Sequence, residues 1–286
     1  MKNKERKKKN IPFVISTIIF ITALIVFIGL LLKMYDEKKG YEKLAEKKNE
    51  PIVEDSADNG NNEESPYLGY YLINDTVVQA EFKDLYLQNS DIAGWITIDD
   101  TSIDYPVMFT PKEEQFYIYK DFDKNYSSSG SIFIGAGASI TRPSDNMILY
   151  GHHMANNTMF KPLDKYMDED YYKEHKYITF DTLRQTGTYE IVAAFRTKVY
   201  YDEKDGFMYY TYTDLQKKED FDKFVEECDK IKLYDTDATA EYGDQLITLS
   251  TCAYHTVNGR FVVVAKRIDG LKVDLTKEPI KVINTD

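Results

Sequence analysis

Hydrophobic positions fall along this chain in three regimes. Ile11 to Leu32 is an unbroken run of 22 uncharged residues rich in Ile, Leu, Val and Phe. At about 1.5 Å per residue, a helix of that length spans a hydrocarbon core of roughly 30 Å. Polarity then takes over. Lys33 to Lys48 is charged and predicts a short helix leaving the apolar segment, and Asn49 to Ser65 has too few large apolar residues to offset chain entropy, which predicts a flexible spacer. From about Tyr67 the pattern is that of a folded domain. Val77 to Leu87 places Val78, Phe82 and Leu85 on one side and predicts a helix. Short apolar runs then predict strands at 91–98, 103–108, 131–134, 147–150, 177–180, 189–195, 198–201, 245–252 and 260–266, with short helical pieces at 158–167 and 168–175. Between the last strands, Phe221, Phe224, Val225, Cys228 and Ile231 make one apolar stripe on a helix over 220–233. Strands separated by Gly, Asn, Asp and Ser turns predict a mostly β (α+β) domain, a largely antiparallel sheet or barrel. The C-terminus is polar, without a second membrane segment.

Charge adds an orientation. Residues 1–10 carry a net +5 and residues 11–32 none, leaving −17 on the rest of a chain whose formal net charge is −12. Basic residues ahead of an apolar span predict a cytoplasmic N-terminus, with everything after Leu32 outside. The competing reading is a cleaved signal peptide, but its apolar core would be about 7–15 residues with a small-residue cleavage site, and the run here has neither feature. A retained anchor is expected. The acidic body argues against nucleic acid, whose phosphates need clustered Lys and Arg. The expected organisation is a basic cytoplasmic segment (1–10), a transmembrane anchor (11–32), an extracellular stalk (33–66), a catalytic domain (67–275) and a tail (276–286).

Two of the predicted strands end on reactive side chains. In Leu246-Ile247-Thr248-Leu249-Ser250-Thr251-Cys252, alternation puts Cys252 on the face of Leu246, Thr248 and Ser250, which grows more polar toward the strand's end. A thiol placed where a strand opens into a loop is held by a rigid scaffold yet reachable, as a nucleophile must be. Met147-Ile148-Leu149-Tyr150-Gly151 ends at His152, which supplies an imidazole, and Arg260 follows Cys252 by eight residues. Arg260 has two possible placements. A tight hairpin at Asn258-Gly259 would pair it with Val257, on the order of 17 Å from Cys252. An open loop over Ala253 to Gly259 would start the next strand beside the thiol. The other cysteine, Cys228, sits on the helix stripe and is expected to be an inert packing group. His153, His175 and His255 are expected to be hydrogen-bonded structural residues. Metal binding fits poorly, because adjacent histidines point to opposite sides of a strand and no ligand spacing recurs. Asp168-Glu169-Asp170 and Glu226-Glu227 lack a calcium-loop pattern and read as solvated faces. No metal or organic cofactor is expected.

Taken together, Thr248-Leu249-Ser250-Thr251-Cys252, Arg260 and Gly151-His152 resemble the sortase family, specifically class B. The stretches DIAGWITID from Asp91, IDYPV from Ile103, YGHHM from Tyr150 and MF from Met159 agree with it. The resemblance covers roughly residues 80–270. It implies a closed eight-stranded barrel with an N-terminal helix, the helix at 220–233 lying between strands six and seven, and an open loop rather than a hairpin at Asn258-Gly259. It also implies a transpeptidase with Cys252 as nucleophile, His152 as acid and base, Arg260 as oxyanion or substrate donor, and Tyr150, Ser250 and Thr251 as substrate contacts. The implied partners are secreted proteins bearing a C-terminal sorting motif and a peptidoglycan amine, at the cell membrane of a Gram-positive bacterium. A pilin-polymerising sortase using a Lys nucleophile, a noncatalytic binding module on the same scaffold and a plain cysteine protease are the alternatives. Class B members often carry an acidic residue directly after the cysteine, where this chain has Ala253, and the interval from Cys252 to Arg260 is short.

Overall fold

The computed structural model describes residues 2–50, 69–140, 144–254, 256–269 and 280–284. Most of the expected spacer, the domain start at Tyr67, His255 and residues 270–279 lie outside them. Two compact units are present, residues 1–43 and 44–286. Helix α1 (Lys2–Asn49) contains the apolar run, and its stretch from Pro12 onward is long and apolar enough to cross a membrane, with a mean hydropathy of 2.9 in its most apolar window. Phe13, Ile19, Phe20, Leu24 and Leu32 on it are exposed. Leu44 and Ala45, which the sequence reading placed in a stalk, pack instead against the core of the second unit.

That unit is built on two sheets. In chain order the strands and helices are β1 (Tyr70–Ile73), β2 (Thr76–Gln79), α2 (Lys83–Gln88), β3 (Ile92–Thr97), β4 (Asp104–Met108), β5 (Ile132–Ile134), β6 (Asn146–Tyr150), α3 (Glu169–Glu174), β7 (Tyr177–Thr182), β8 (Thr188–Lys198), α4 (Lys218–Ile231), β9 (Leu246–Cys252), β10 (Gly259–Asp269) and β11 (Ile280–Ile283). Eight of the strands close into a ring in the order β10-β8-β7-β3-β4-β5-β6-β9. Six of the eight pairings in the ring are antiparallel, while β4–β5 and β6–β9 are parallel. Helix α4 enters between the sixth and seventh strands of the ring, as the resemblance implied.

Three stretches differ from their sequence reading. The separate strand expected at 198–201 is absent: β8 itself runs to Lys198, paired with Gly259, and residues 199–201 lie outside any strand. Val77 to Leu87 is not one helix: Thr76–Gln79 pairs antiparallel with β1, a 3-10 turn covers Ala80–Phe82, and only Lys83–Gln88 is α-helical. The apolar spacing was real, since Val78, Phe82 and Leu85 are all buried, but β-branched Thr76, Val77 and Val78 were captured by a neighbouring strand. The expected polar tail also contributes structure. Ile280–Ile283 pairs in parallel with β1, completing a three-stranded sheet β11-β1-β2.

Two apolar clusters support the ring. One gathers Val78, Phe82, Leu85, Trp95, Met108 and Tyr117. Trp95 is fully buried and satisfies its indole by donating to Asp104 Oδ1 at 2.6 Å across the β3–β4 pair. In the other, Phe221, Phe224 and Cys228 of α4 meet Phe195 of β8 and Val262 and Val264 of β10. Burial pushes the Cys228 thiol well above its ordinary range, in keeping with an inert packing group.

Candidate active site

Three adjacent strands of the ring deliver the three sequence-predicted residues to one end. β6 and β9 run in parallel, with Tyr150 opposite Ser250. Continuing both chains by two residues brings His152 and Cys252 to neighbouring positions past the last ladder pair. β10 returns antiparallel on the other side of β9, with Arg260 directly opposite Cys252. Neighbouring strands stand about 5 Å apart and residues directly opposite share a face. The open loop over Ala253 to Gly259 is therefore correct, and the tight hairpin is not. Asn258 adopts φ +56°, the left-handed conformation that makes Asn-Gly a hairpin signal, but it serves to end a longer loop. That loop is closed by the Ala253 N–H donating to the Gly259 carbonyl at 3.0 Å.

The His152 segment is locked to the Cys252 strand by two bonds. The Gly151 N–H donates to the Ser250 carbonyl at 3.2 Å, and the Thr251 hydroxyl donates to the Gly151 carbonyl at 2.8 Å. Gly151 is needed for close approach, since a Cβ there would stand 2.5 Å from Ile132 and 2.7 Å from the Phe160 ring. Past the histidines the chain turns back, with Asn157 and Met159 at positive φ, so that the Phe160 N–H donates to the His152 carbonyl at 2.9 Å. Met159 in that conformation is a strained position held by its surroundings.

The imidazole of His152 is oriented from the opposite wall. Its Nε2 lies 2.7 Å from the Ile118 carbonyl, and the Tyr119 ring lies against it with centroids 5.4 Å apart. A carbonyl oxygen only accepts, so Nε2 carries the proton and Nδ1 is the nitrogen left to exchange one. Arg260 spends Nη1 on the carbonyls of Gly259 at 2.9 Å and Asn258 at 3.4 Å, which among the described residues leaves Nε and Nη2 for other acceptors.

All three residues line a cavity of about 280 Å³ together with Glu114, Gln115, Ile118, Phe133, Tyr150, Gly151, Val199, Tyr209, Tyr210, Ser250 and Thr251. The other sequence-derived candidates divide here. Tyr150 forms part of the wall, its ring packed against Phe133, and burial raises its hydroxyl far above the ordinary tyrosine range. Ser250 is buried at the floor, its Oγ 2.6 Å from the Tyr209 hydroxyl. Thr251 is buried and turns its hydroxyl to Gly151, so its visible work is to join the two segments.

Tyr209 was not found in the sequence. Burial raises its pKa to about 12, and it sits in the long β8–α4 connection, where the chain reads YYTYT without an apolar period. Ile118 and Tyr119 were equally silent, since one contributes a backbone carbonyl and the other a ring face. A larger cavity of about 480 Å³ lies at the opposite ends of β6 and β9, lined by Asp145, Thr213 and Asp244 among others, and none of the described residues lining it carries a thiol or imidazole. His153 and His175 both have hydrogen-bond partners within the domain. The first contacts Asp164 Oδ2 at 2.7 Å, and the second stacks on Tyr171 with centroids 4.0 Å apart.

A family profile described as "Sortase domain" matches residues 96–268. The curated protein "Sortase B" of Staphylococcus aureus (strain NCTC 8325 / PS 47) is 35% identical over 193 residues, covering 67% of this chain and 76% of that protein. Among solved structures, a Staphylococcus aureus sortase B-substrate complex superposes with a TM-score of 0.67 at 30% identity, covering 83% of this chain and 99% of that one. Sortase B from B. anthracis in complex with AAEK1 gives a TM-score of 0.67 at 28% identity, covering 84% and 99%.

Proposed function

The chain belongs to the sortase family of cysteine transpeptidases, in class B, and from that premise we propose that it is a membrane-anchored enzyme that cleaves a C-terminal sorting signal after Thr and transfers the protein to a peptidoglycan amine. The observation that carries the reading is the convergence of His152, Cys252 and Arg260 from three adjacent strands onto one cavity.

The chemistry follows from the atoms available. The Cys252 thiolate adds to the Thr carbonyl carbon, and the negative charge moves to the carbonyl oxygen. Arg260 faces that oxygen with the donors its backbone contacts leave over, a role for which a fixed guanidinium fork is suited. The C–N bond breaks as His152 gives its Nδ1 proton to the departing amine, leaving a thioester on Cys252. An incoming amine then adds to the thioester carbon, gives its proton to Nδ1, and the thiolate leaves. Nε2 keeps its proton on the Ile118 carbonyl throughout, so the ring does not rotate between the half-reactions. Tyr150 and Ser250 contribute to the surface on which the retained peptide lies. The apolar length of α1 supports attachment at a cell membrane, with the basic residues 1–10 inside and the ring outside.

The test is to incubate the full chain, in detergent micelles, with a library of Thr-containing sorting peptides and either a cross-bridge-type amine or a Lys-containing peptide. Intact mass is followed for wild type and Cys252→Ala. A thioacyl adduct that needs Cys252 and passes to the cross-bridge amine is the expected result. Transfer to Lys alone would shift the reading to polymerisation, release to water alone would mean a protease, and no adduct across the library would sink the proposal.

A further inference from the structure

The cavity that holds Cys252 has two residues with a fixed charge among those lining it, and they differ in how far they are already engaged. Arg260 stands beside the thiol with its guanidinium anchored on backbone carbonyls. Glu114 comes from the loop after β4 and is exposed at the rim. Its Oε1 accepts the Ala136 N–H at 2.8 Å, which fixes the carboxylate on the wall, and among the described residues it makes no ion pair and Oε2 has no partner. Its position is defined by Gly135, where a Cβ would stand 2.6 Å from the Tyr150 ring and 3.5 Å from Glu114 Oε1. The carboxylate therefore lies next to the tyrosine that walls the cavity, and its charge is felt at the Tyr150 hydroxyl.

An anchored carboxylate with one free oxygen, at the rim of an otherwise largely uncharged cleft, selects by charge. Resting on the proposed transpeptidation, we infer that Glu114 is a specificity-determining residue that pairs with a basic side chain, Lys or Arg, of the acyl-donor peptide. The residue it reads lies N-terminal to the scissile Thr. That half of the peptide stays on the enzyme through the thioester while the other half leaves, so contacts to it act in both half-reactions. An acidic side chain at the same place meets like charge and is disfavoured.

The experiment uses the full chain in micelles and a peptide series in which each of the positions preceding Thr is set in turn to Lys, Gln or Glu, with a saturating amine acceptor. For an exposed pair of this kind, kcat/KM at one position is expected to favour Lys over Gln roughly three- to fivefold, with Glu poorest, and the preference shrinks in high salt. Glu114→Gln keeps an acceptor for the Ala136 N–H and is expected to bring the Lys-to-Gln ratio near one. Glu114→Lys is expected to reverse the order. Equal kcat/KM for all three peptides at every position, with adducts still forming, would overturn the role of Glu114 while leaving transpeptidation intact. So would a Lys preference that survives in Glu114→Gln, or a charge preference that follows the acceptor amine. Failure of every peptide to form an adduct would overturn both the transpeptidase reading and this one.

Discussion

Thr251 ties two chain segments together through a single hydroxyl. Its Oγ bond to the Gly151 carbonyl joins the strand that ends in Cys252 to the segment that carries His152. Thr251→Val keeps the shape, removes the donor and leaves a partly buried carbonyl short of a partner. Loss of stability of about 1–2 kcal/mol is expected in urea titrations. Transfer to the amine is expected to fall several-fold more than simple alkylation of Cys252, because alkylation needs only the thiol while transfer needs the thiol and imidazole in register. Equal losses in both assays would mean that the bond serves stability alone. The sequence made Thr251 visible for another reason, its place in Thr248-Leu249-Ser250-Thr251-Cys252, and from that resemblance it was read as a substrate contact. Cys252, His152 and Arg260 were legible because strand ends carrying Cys, His and Arg are rare and chemically pointed. The orientation of His152 was not, because it depends on the main chain of Ile118, and any residue there offers a carbonyl.

At the level of elements, legibility followed the strength of the period. Helix α4 repeats its apolar positions over three turns and lies close to where the pattern placed it. The stretch 77–87 has apolar positions with a plausible helical spacing, yet pairing with β1 overrode them at its start. Helix α4 also has a visible weakness. Its N-cap position is Lys217, with φ −90° and ψ 130°, and no side chain caps the first turn, although the carbonyl of Lys217 already accepts from Asp220 and Phe221. Lys217→Ser places a hydroxyl acceptor on that suitable backbone and is expected to raise stability by about 0.5–1 kcal/mol. The measurement is the midpoint of urea unfolding. An unchanged or lowered midpoint would mean that the Lys217 side chain contributes something the backbone geometry does not reveal. Because α4 carries Phe221 and Phe224 into the cluster under β8 and β10, and β10 positions Arg260, the same variant is expected to retain full transfer activity.

The closure of the ring is a property of the whole molecule and the least legible feature in the pattern of positions. Strand periods identified most of the strands, but neither of the two parallel pairings, β4–β5 and β6–β9, can be read from alternation, and the second is what brings His152 to Cys252. The interior that results is unusually rich in tyrosine, and this gives the folded state a pH limit. Burial raises Tyr189 and Tyr209 to about 12, and pushes Tyr150, Tyr166 and Tyr234 above the ordinary range as well. Below about pH 10 these hydroxyls keep their protons folded or unfolded, and pH has no purchase on stability through them. Above it the unfolded chain loses protons that the folded chain retains, so the unfolded state binds fewer and stability falls as pH rises. The slope contributed by each such tyrosine approaches about 1.4 kcal/mol per pH unit until its folded pKa is reached. Urea midpoints are therefore expected to hold level between pH 8 and about 10 and to drop steeply beyond. Replacing Tyr189 and Tyr209 together by Phe is expected to flatten that drop. Loss of the Tyr209 hydroxyl also removes its bond to Ser250, which lowers stability at every pH. The diagnostic quantity is therefore the slope above pH 10, and a slope identical to wild type would show that these two groups titrate alike in the folded and unfolded chain.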